Sequence, residues 1–194
     1  MSTTKEDFLK NPTWVKRVDE FFYVRDVNKN GYIELNDFRI VADKLTTLTN
    51  NKRPEALKRV LEAELALAAA LGIKEGDKLS KEQWIDAMAS LAEKLNAKSK
   101  AGEKPLTEDL TNALFDVVDV NEDGTVSLDE YKLVFKAYNI DDAAAAQGFA
   151  AHDKNKNGKL ERHEIVNQHT RFWWYVNDDF GSNGTFGERF EAKD

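Results

Sequence analysis

The feature that most constrains this chain is a twelve-residue spacing pattern that occurs twice. Residues 119–130 and 153–164 both carry Asp at position 1, Asn or Asp at positions 3 and 5, Gly at position 6 and Glu at position 12. A calcium ion requires about six to eight oxygen ligands, and side chains 1, 3, 5, 9 and 12 with the carbonyl of residue 7 can supply them. Gly124 and Gly158 permit the positive φ of the sharp bend. The pattern therefore predicts two calcium-binding loops.

Two further segments resemble these loops and are predicted to pair with each other. Residues 26–37 depart from the pattern only at position 12, where Asp37 is one methylene shorter than Glu. The shorter side chain makes bidentate coordination harder and relatively favours Mg²⁺, so we expect a calcium site that also tolerates Mg²⁺. Residues 72–83 place Lys74 at position 3 and Gln83 at position 12, and this loop is predicted to hold no ion. We number the four loops I to IV in chain order.

The sequence thus predicts three bound calcium ions, with side-chain ligands at positions 1, 3, 5, 9 and 12 and a carbonyl ligand at position 7. The candidate ligands are Asp26, Asn28, Asn30, Tyr32, Glu34 and Asp37 in loop I; Asp119, Asn121, Asp123, Thr125, Ser127 and Glu130 in loop III; and Asp153, Asn155, Asn157, Lys159, Glu161 and Glu164 in loop IV.

Apolar residues at helical spacing flank every loop, which is typical of the helix–loop–helix unit called the EF-hand. The residues at loop position 8 are Ile33, Leu79, Val126 and Leu160, and each pair is expected to form a short antiparallel bridge. We therefore predict an all-α fold in which four EF-hands form two paired lobes of one compact globule. The expected divisions are an N-terminal pair at 1–97, a linker at 98–105, a C-terminal pair at 106–170 and an aromatic tail at 171–194.

The charge balance agrees with a cation-binding role. Asp and Glu number 35 against 28 Lys and Arg, giving a net charge of −7, which disfavours nucleic acid and anionic membranes as partners. The absence of cysteine excludes disulfides and thiolate chemistry. No apolar run is long enough to span a membrane, and no arrangement of catalytic side chains is visible. We expect a monomeric cytoplasmic protein without enzymatic activity, whose partners are calcium ions; a protein target is left open.

The residues that surround the loops resemble those of a known family. Trp14-Val15-Lys16 and Phe21-Phe22 before loop I, with three intact loops and a degenerate second one, resemble invertebrate sarcoplasmic calcium-binding proteins. Residues 115–117, 129–131, 138–140 and 176–179 are more similar to the neuronal relative calexcitin. The resemblance implies two lobes packed face to face and a role as a calcium buffer or calcium signalling protein.

An aromatic cluster in the tail leaves a second function open. Phe172, Trp173, Trp174 and Tyr175 can cover the interlobe core, touch a membrane or line a small-molecule cavity. Related four-EF-hand proteins, the coelenterazine-binding proteins and photoproteins, hold an imidazopyrazinone in a central cavity, and His169 beside the cluster is compatible with such a site. The chain lacks the terminal proline of photoproteins. His152 and His163 are expected to face solvent.

Overall fold

The computed structural model describes residues 3–103 and 106–166, apart from the side chains of residues 99 and 100. Its helices are α1 (Lys5–Lys10), α2 (Pro12–Arg25), α3 (Leu35–Leu48), α4 (Pro54–Ala70), α5 (Lys81–Lys100), α6 (Leu106–Val118), α7 (Leu128–Ala137) and α8 (Asp142–His152), and residues 162–166 are also helical. The strands are β1 (Ile33–Glu34), β2 (Lys78–Leu79), β3 (Thr125–Val126) and β4 (Leu160–Glu161). The predicted all-α architecture with short strand pairs is confirmed.

The strand pairs join the loops two by two, as the position-8 residues predict. β1 pairs antiparallel with β2, and Ile33 lies opposite Leu79. β3 pairs antiparallel with β4, and Val126 lies opposite Leu160. Ile33, Val126 and Leu160 are fully buried, so each bridge closes the base of its lobe. Loop II therefore keeps its structural place in the N-terminal pair although its ligand positions are degenerate.

The two lobes share one apolar core. Helix α4 of the N-terminal lobe packs along α6 of the C-terminal lobe, and α3 contacts α7. Inside the N-terminal lobe, α2 lies against α5, where the indole Nε1 of Trp84 donates to the carbonyl of Val18 at 3.1 Å. The lobes consequently bury helix faces against each other as well as within themselves.

Two features of the N-terminal lobe differ from the sequence expectation. Helix α1 was not predicted; Thr4 and Asp7 form its capping box, and its Phe8 ring packs 5.1 Å from the ring of Trp14. Helix α5 continues to Lys100 and so takes up the start of the expected 98–105 linker. Asn96 is buried within the helix, and no Gly or Pro interrupts the chain between Lys81 and Gly102, whose φ is +79°.

The predicted tail, with Phe172 to Tyr175 and His169, lies outside the described residues. Within the described ranges, no helix is both long and apolar enough to cross a membrane.

Candidate calcium loops and the cavity between the lobes

Loops I, III and IV share a backbone conformation that loop II lacks. In each of the three, the residues at positions 4 and 6 have left-handed backbone angles. These residues are Lys29 (φ 60°) and Gly31 (84°), Glu122 (60°) and Gly124 (79°), and Lys156 (59°) and Gly158 (76°). In loop II the positive φ angles fall at positions 1 and 5, on Gly72 and Gly76. The three loops with predicted ligands therefore curl in one common way, and the degenerate loop curls differently.

The position-1 carboxylate of each of these three loops is held by two backbone amides. Asp26 accepts from the N–H of Asn30 at 3.0 Å and of Gly31 at 2.9 Å, through its two different oxygens. Asp119 accepts from the amides of positions 5 and 6 at 3.1 Å each, and Asp153 does so at 3.1 and 2.9 Å. These bonds fix the side chain against the turn that forms the loop.

Side-chain oxygens at positions 3 and 5 follow the same rule. The Oδ1 atoms of Asn28, Asn121 and Asn155 accept from the position-5 amide at 3.0, 3.0 and 2.9 Å. The position-5 side chains accept from the position-7 amide at 2.9 Å in all three loops. Repeated Asx turns therefore place one oxygen after another around the loop.

The acid at position 12 also begins the helix that leaves the loop. Glu130 Oε2 accepts from the amide of Ser127 at 2.9 Å and completes the capping box of α7. Glu164 accepts likewise from the amide of position 9 at 3.1 Å. Asp37 reaches across loop I as well, because its Oδ1 accepts from the amide of Val27 at 3.0 Å. Burial raises the pKa of Asp37 above its ordinary value, against the backbone hydrogen bonds that lower it.

The donor set of these loops fits a hard divalent cation. The ligand positions of each of the three offer carboxylate, amide and peptide oxygens, with no sulfur or imidazole, which is the ligand chemistry that Ca²⁺ and Mg²⁺ prefer. Within residues 3–103 and 106–166, no three His, Cys, Asp or Glu side chains converge on one point. The carboxylates of each loop bond instead to backbone amides, and Asn supplies several of the oxygens. The ligand assignments from the sequence therefore stay predictions, with a backbone arrangement that suits them.

Loop II retains the helix-capping geometry without the charge. Gln83 at position 12 accepts from the amide of Ser80 at 2.9 Å, the same contact that Glu130 makes in loop III. Lys74 occupies position 3, and its amide donates to Asp77 at 2.9 Å. This explains how the loop can keep its fold while its ligand positions carry neutral or positive groups.

An ion pair links loops III and IV. Lys159 Nζ lies 3.1 Å from Asp123 Oδ2, and the hydroxyl of Thr125 donates to Asp123 Oδ1 at 2.6 Å. The Thr125 hydrogen bond and then Lys159 lower the pKa of Asp123 to about 2. A side chain of loop IV thus places a positive charge beside a predicted ligand of loop III.

Each lobe also donates a hydrogen bond to a calcium loop of the other lobe. Asn139, which follows α7, donates from Nδ2 to the carbonyl of Val27 in loop I at 3.0 Å. Arg53, which follows α3, donates to the carbonyl of Asp119 in loop III at 2.9 Å. Sequence reasoning missed both because each pair is far apart along the chain.

A cavity of about 80 Å³, partly open to solvent, lies between the lobes. Its described lining is mainly aromatic and aliphatic, a composition typical of small-molecule sites. The lining residues are Phe21, Arg25, Leu67, Trp84 and Met88 from the N-terminal lobe and Thr107, Leu110, Thr111, Leu114, Phe115, Val118, Val126, Tyr131, Val134, Phe135, Tyr138 and Ile165 from the C-terminal lobe.

A buried polar network lies at the wall of this cavity. Both Arg25 Nη atoms donate to the carboxylate of Glu64, one of them at 3.2 Å, and the Tyr138 hydroxyl donates to Glu64 Oε1 at 2.7 Å. Arg25 is 1% exposed and Glu64 is 0% exposed. The guanidinium also stacks 3.9 Å from the centroid of the Phe38 ring. Burial and the nearby Glu64 carboxylate raise the pKa of Tyr138, so the hydroxyl stays protonated and donates.

The Arg25–Glu64 pair joins α2 to α4, and Tyr138 brings in the C-terminal lobe. Burial alone would lower the pKa of Arg25, but Glu64 and Tyr138 together outweigh burial and raise it. The sequence does contain a signal for this pair. Arg25 continues the buried helical series of Trp14, Val18 and Phe22, so its spacing places a positive charge on the core face of α2.

The structure corrects one histidine expectation. His152 was expected to face solvent, but it is 1% exposed and its ring lies 6.1 Å from that of Tyr131. The reason is that it stands in the last turn of α8, on the face that packs against α7. His163 is exposed, as predicted.

These observations define the chain as a four-EF-hand protein with three regular loops, one degenerate loop and a cavity between its lobes. The EF-hand domain pair family matches residues 15–136. The chain belongs to this family and is an EF-hand calcium-binding protein.

Similar proteins are known from several marine animals. Aequorin-2 of Aequorea victoria is 31% identical over 166 residues, which cover 84% of this chain and 85% of that protein. The luciferin-binding protein of Renilla reniformis is 28% identical over 182 residues, which cover 92% of each. The sarcoplasmic calcium-binding protein of Hediste diversicolor is 30% identical over 139 residues, 68% of this chain and 73% of that one. The narrower resemblance to calexcitin stays a prediction.

Solved structures show the same fold. The complex of apoAequorin with (S)-HM-daCTZ has a TM-score of 0.75 and 30% identity, and the match covers 91% of both chains. Magnesium-loaded apo-berovin, a ctenophore photoprotein whose three calcium-binding loops all bind magnesium ions, has a TM-score of 0.73 and 30% identity over 82% of this chain and 87% of that one.

Proposed function

We propose that the chain is a calcium-regulated protein that holds a small apolar luciferin of the coelenterazine type in the cavity between its lobes. The observation that carries the proposal is the cavity itself, a space lined mainly by apolar side chains from both EF-hand pairs. The photoprotein and luciferin-binding relatives support this ligand class. Because both lobes line the cavity, calcium in the loops can change the shape of the site.

The metal part of the proposal assigns ions to loops I, III and IV. Their common curl and oxygen-rich ligand positions support three sites, and a magnesium-loaded relative supports the tolerance for Mg²⁺ expected at loop I. When bound, the ion supplies positive charge that the carboxylates of positions 1 and 12 neutralise. Asp37 then occupies the role that Glu130 and Glu164 have in the other loops.

The test is to incubate the calcium-free protein with coelenterazine, remove free ligand by gel filtration and record absorbance and the quenching of tryptophan fluorescence. Trp84 lines the cavity and should be quenched by a bound chromophore. A calcium pulse then separates two outcomes: light emission indicates a photoprotein, and release without light indicates a luciferin carrier. If no chromophore co-elutes under oxidising or reducing conditions, the ligand proposal is wrong.

A matched pair of variants localises the ligand. Val134→Trp should fill the cavity and abolish retention, because Val134 lines it and is only half-buried. Leu133→Trp, the neighbouring half-buried position that is not among the described lining residues, should retain the ligand. Equal retention by both variants would place the chromophore elsewhere.

A second candidate function is calcium buffering of the sarcoplasmic or calexcitin type, in the cytoplasm and without a small organic ligand. The observation that favours it is the similarity to the sarcoplasmic calcium-binding protein of Hediste diversicolor. This function predicts calcium binding with no co-eluting chromophore, so the same gel-filtration experiment separates the two candidates.

A further inference from the structure

Arg25 presents an unused hydrogen-bond donor in the wall of the cavity. Its two Nη atoms are occupied by Glu64 and Tyr138, whereas its Nε is buried and has no hydrogen-bond partner among the residues that the structure describes. A buried N–H without an acceptor is unfavourable, so it requires either a ligand or a water molecule. Arg25 is also one of the described residues that line the cavity.

The other polar groups of the described lining are less able to receive a ligand. The hydroxyl of Thr111 donates to the carbonyl of Thr107 at 2.8 Å, within α6. The Tyr138 hydroxyl donates to Glu64. The remaining lining is dominated by aliphatic and aromatic side chains. Among the described lining residues, Arg25 is the one with a buried side-chain donor that has no partner, so its Nε–H is the group that can orient a ligand in this apolar site.

The charge at this point is already balanced. The carboxylate of Glu64 pairs with Arg25 and is fully buried, and Glu64 is not among the described residues that line the cavity. A ligand in the cavity therefore contacts a guanidinium N–H whose positive charge is already neutralised by Glu64. A second anion would enter a low-dielectric space with no free positive charge to pair with, which is strongly unfavourable.

We propose that the cavity takes an apolar molecule with one uncharged oxygen acceptor, held by Arg25 Nε–H, and that the Arg25–Glu64 pair rejects an anion in the same place. This specificity rests on the proposed function, since it requires that a small molecule enters the cavity. It defines the ligand class by chemistry: a planar or aromatic body with a carbonyl, ether or neutral hydroxyl oxygen at the end that meets α2.

The test uses three naphthalenes of similar shape that displace the fluorescent probe N-phenyl-1-naphthylamine from the full chain. 2-Acetylnaphthalene carries a neutral carbonyl, 2-ethylnaphthalene replaces the oxygen by hydrogen atoms, and 2-naphthoate carries a negative charge. Titrations are made with calcium and with a chelator. If the fluorescent probe does not bind at all, the proposed function fails. If it binds, the ratios of the displacement constants of the three naphthalenes test the role of Arg25.

The key variant is Arg25→Lys, which keeps a positive charge beside Glu64 but lacks the Nε–H of a guanidinium. The ratio of the displacement constants for 2-acetylnaphthalene and 2-ethylnaphthalene should fall by about tenfold in this variant, the loss expected for one charge-assisted hydrogen bond. Comparing the ratio between proteins cancels the different hydrophobicity of the two competitors. An unchanged ratio in both calcium states would overturn the assignment of Arg25 as the donor.

A second variant tests the charge argument. Glu64→Gln leaves the Arg25 charge uncompensated, so 2-naphthoate should gain at least about tenfold in affinity relative to 2-acetylnaphthalene. The double variant Arg25→Met/Glu64→Met removes both charges and serves if the single variant does not fold; it should lose the preference for the carbonyl compound and still bind the fluorescent probe. A crystal structure with 2-acetylnaphthalene bound in which a water molecule, and not the ketone, contacts Nε would also refute the proposal.

Discussion

Replacing Arg25 by Met should destabilise the chain strongly, and replacing Glu64 as well should restore most of the loss. Arg25→Met leaves the fully buried Glu64 carboxylate without its ion-pair partner, while the Tyr138 hydroxyl still donates to it at 2.7 Å. Removing one partner of a buried ion pair costs about 3–5 kcal/mol, because the other charge stays desolvated and unpaired. Since whole domains are stable by about 5–15 kcal/mol, this single change should remove a large share of the free energy of unfolding.

The double variant Arg25→Met/Glu64→Met has no buried charge. Replacement of a buried pair by apolar residues of similar volume is often neutral or stabilising by about 1–4 kcal/mol. The stacking of the guanidinium on Phe38 is lost in both variants and, as a desolvated cation–π contact, is worth about 2 kcal/mol. We therefore expect the double variant to be within about 2 kcal/mol of the native chain and clearly more stable than the single variant.

The assay is urea unfolding followed by far-ultraviolet circular dichroism in a chelating buffer, with linear extrapolation and a comparison of slopes. Tyr138→Phe is the control for the hydrogen bond to the charged Glu64 carboxylate and should cost about 1.5–3 kcal/mol. If Arg25→Met lost less than about 1 kcal/mol, or if the double variant were as unstable as the single one, Glu64 would not be held as a buried, paired charge.

Three further changes test the loops. Asn139→Gly should lower the free energy of unfolding by about 0.5–1.5 kcal/mol, because it removes the hydrogen bond to the carbonyl of Val27. Asn139→Ala should lower it by about 1 kcal/mol more, because residue 139 has a φ of +60°, which is unfavourable for alanine. Equal stability of the native chain and both variants in urea would contradict this interlobe contact. Burial raises the pKa of Asp37 in the folded chain above its ordinary value of 3.8. The contribution of protonated Asp37 to stability is therefore complete below pH 3.8 and is lost as the pH rises through the raised pKa of the folded chain. Calcium-free Asp37→Asn should therefore become increasingly more stable than the native chain above pH 3.8, and parallel stability curves would show otherwise. Lys159→Met should strengthen calcium binding at loop III a few-fold at low ionic strength, since the charge beside Asp123 is removed; a site-resolved NMR titration that shows no salt-dependent gain would reject this effect.

The loops could be read from the sequence because their determinants are local. Twelve consecutive residues contain the ligand positions, the glycine of the bend and the cap of the leaving helix, so the spacing alone predicts the curl and the bridge between Ile33 and Leu79. The start of the linker, expected at residue 98, is less local in origin. Helix α5 continues to Lys100 and carries the polar Asn96 as a buried residue near its end.

The cavity and its polar wall could not be derived in the same way, because they depend on packing between distant segments. Arg25 and Glu64 are 39 residues apart, and Glu64 and Tyr138 are 74 apart. The periodicity of α2 and α4 does place one positive and one negative residue on faces that are otherwise apolar, which is a usable signal for a buried pair. It does not indicate that the pair borders an open space, since this depends on how α4 lies along α6.

The position of Arg25 in the chain connects the calcium loops to the cavity. Arg25 is the last residue of α2, and Asp26, the first predicted ligand of loop I, follows it directly. A predicted calcium ligand and a residue of the cavity lining are therefore direct neighbours in the chain. The Arg25 guanidinium also bonds to Glu64 of the N-terminal lobe and to Tyr138 of the C-terminal lobe. Asn139, the neighbour of Tyr138, bonds to loop I next to Asp26. We therefore expect a rearrangement of loop I to move the polar wall of the cavity, and a ligand that displaces Arg25 to disturb loop I. Because such coupling is reciprocal in free energy, we expect calcium at loop I and a ligand beside Arg25 to change each other's affinity by the same factor.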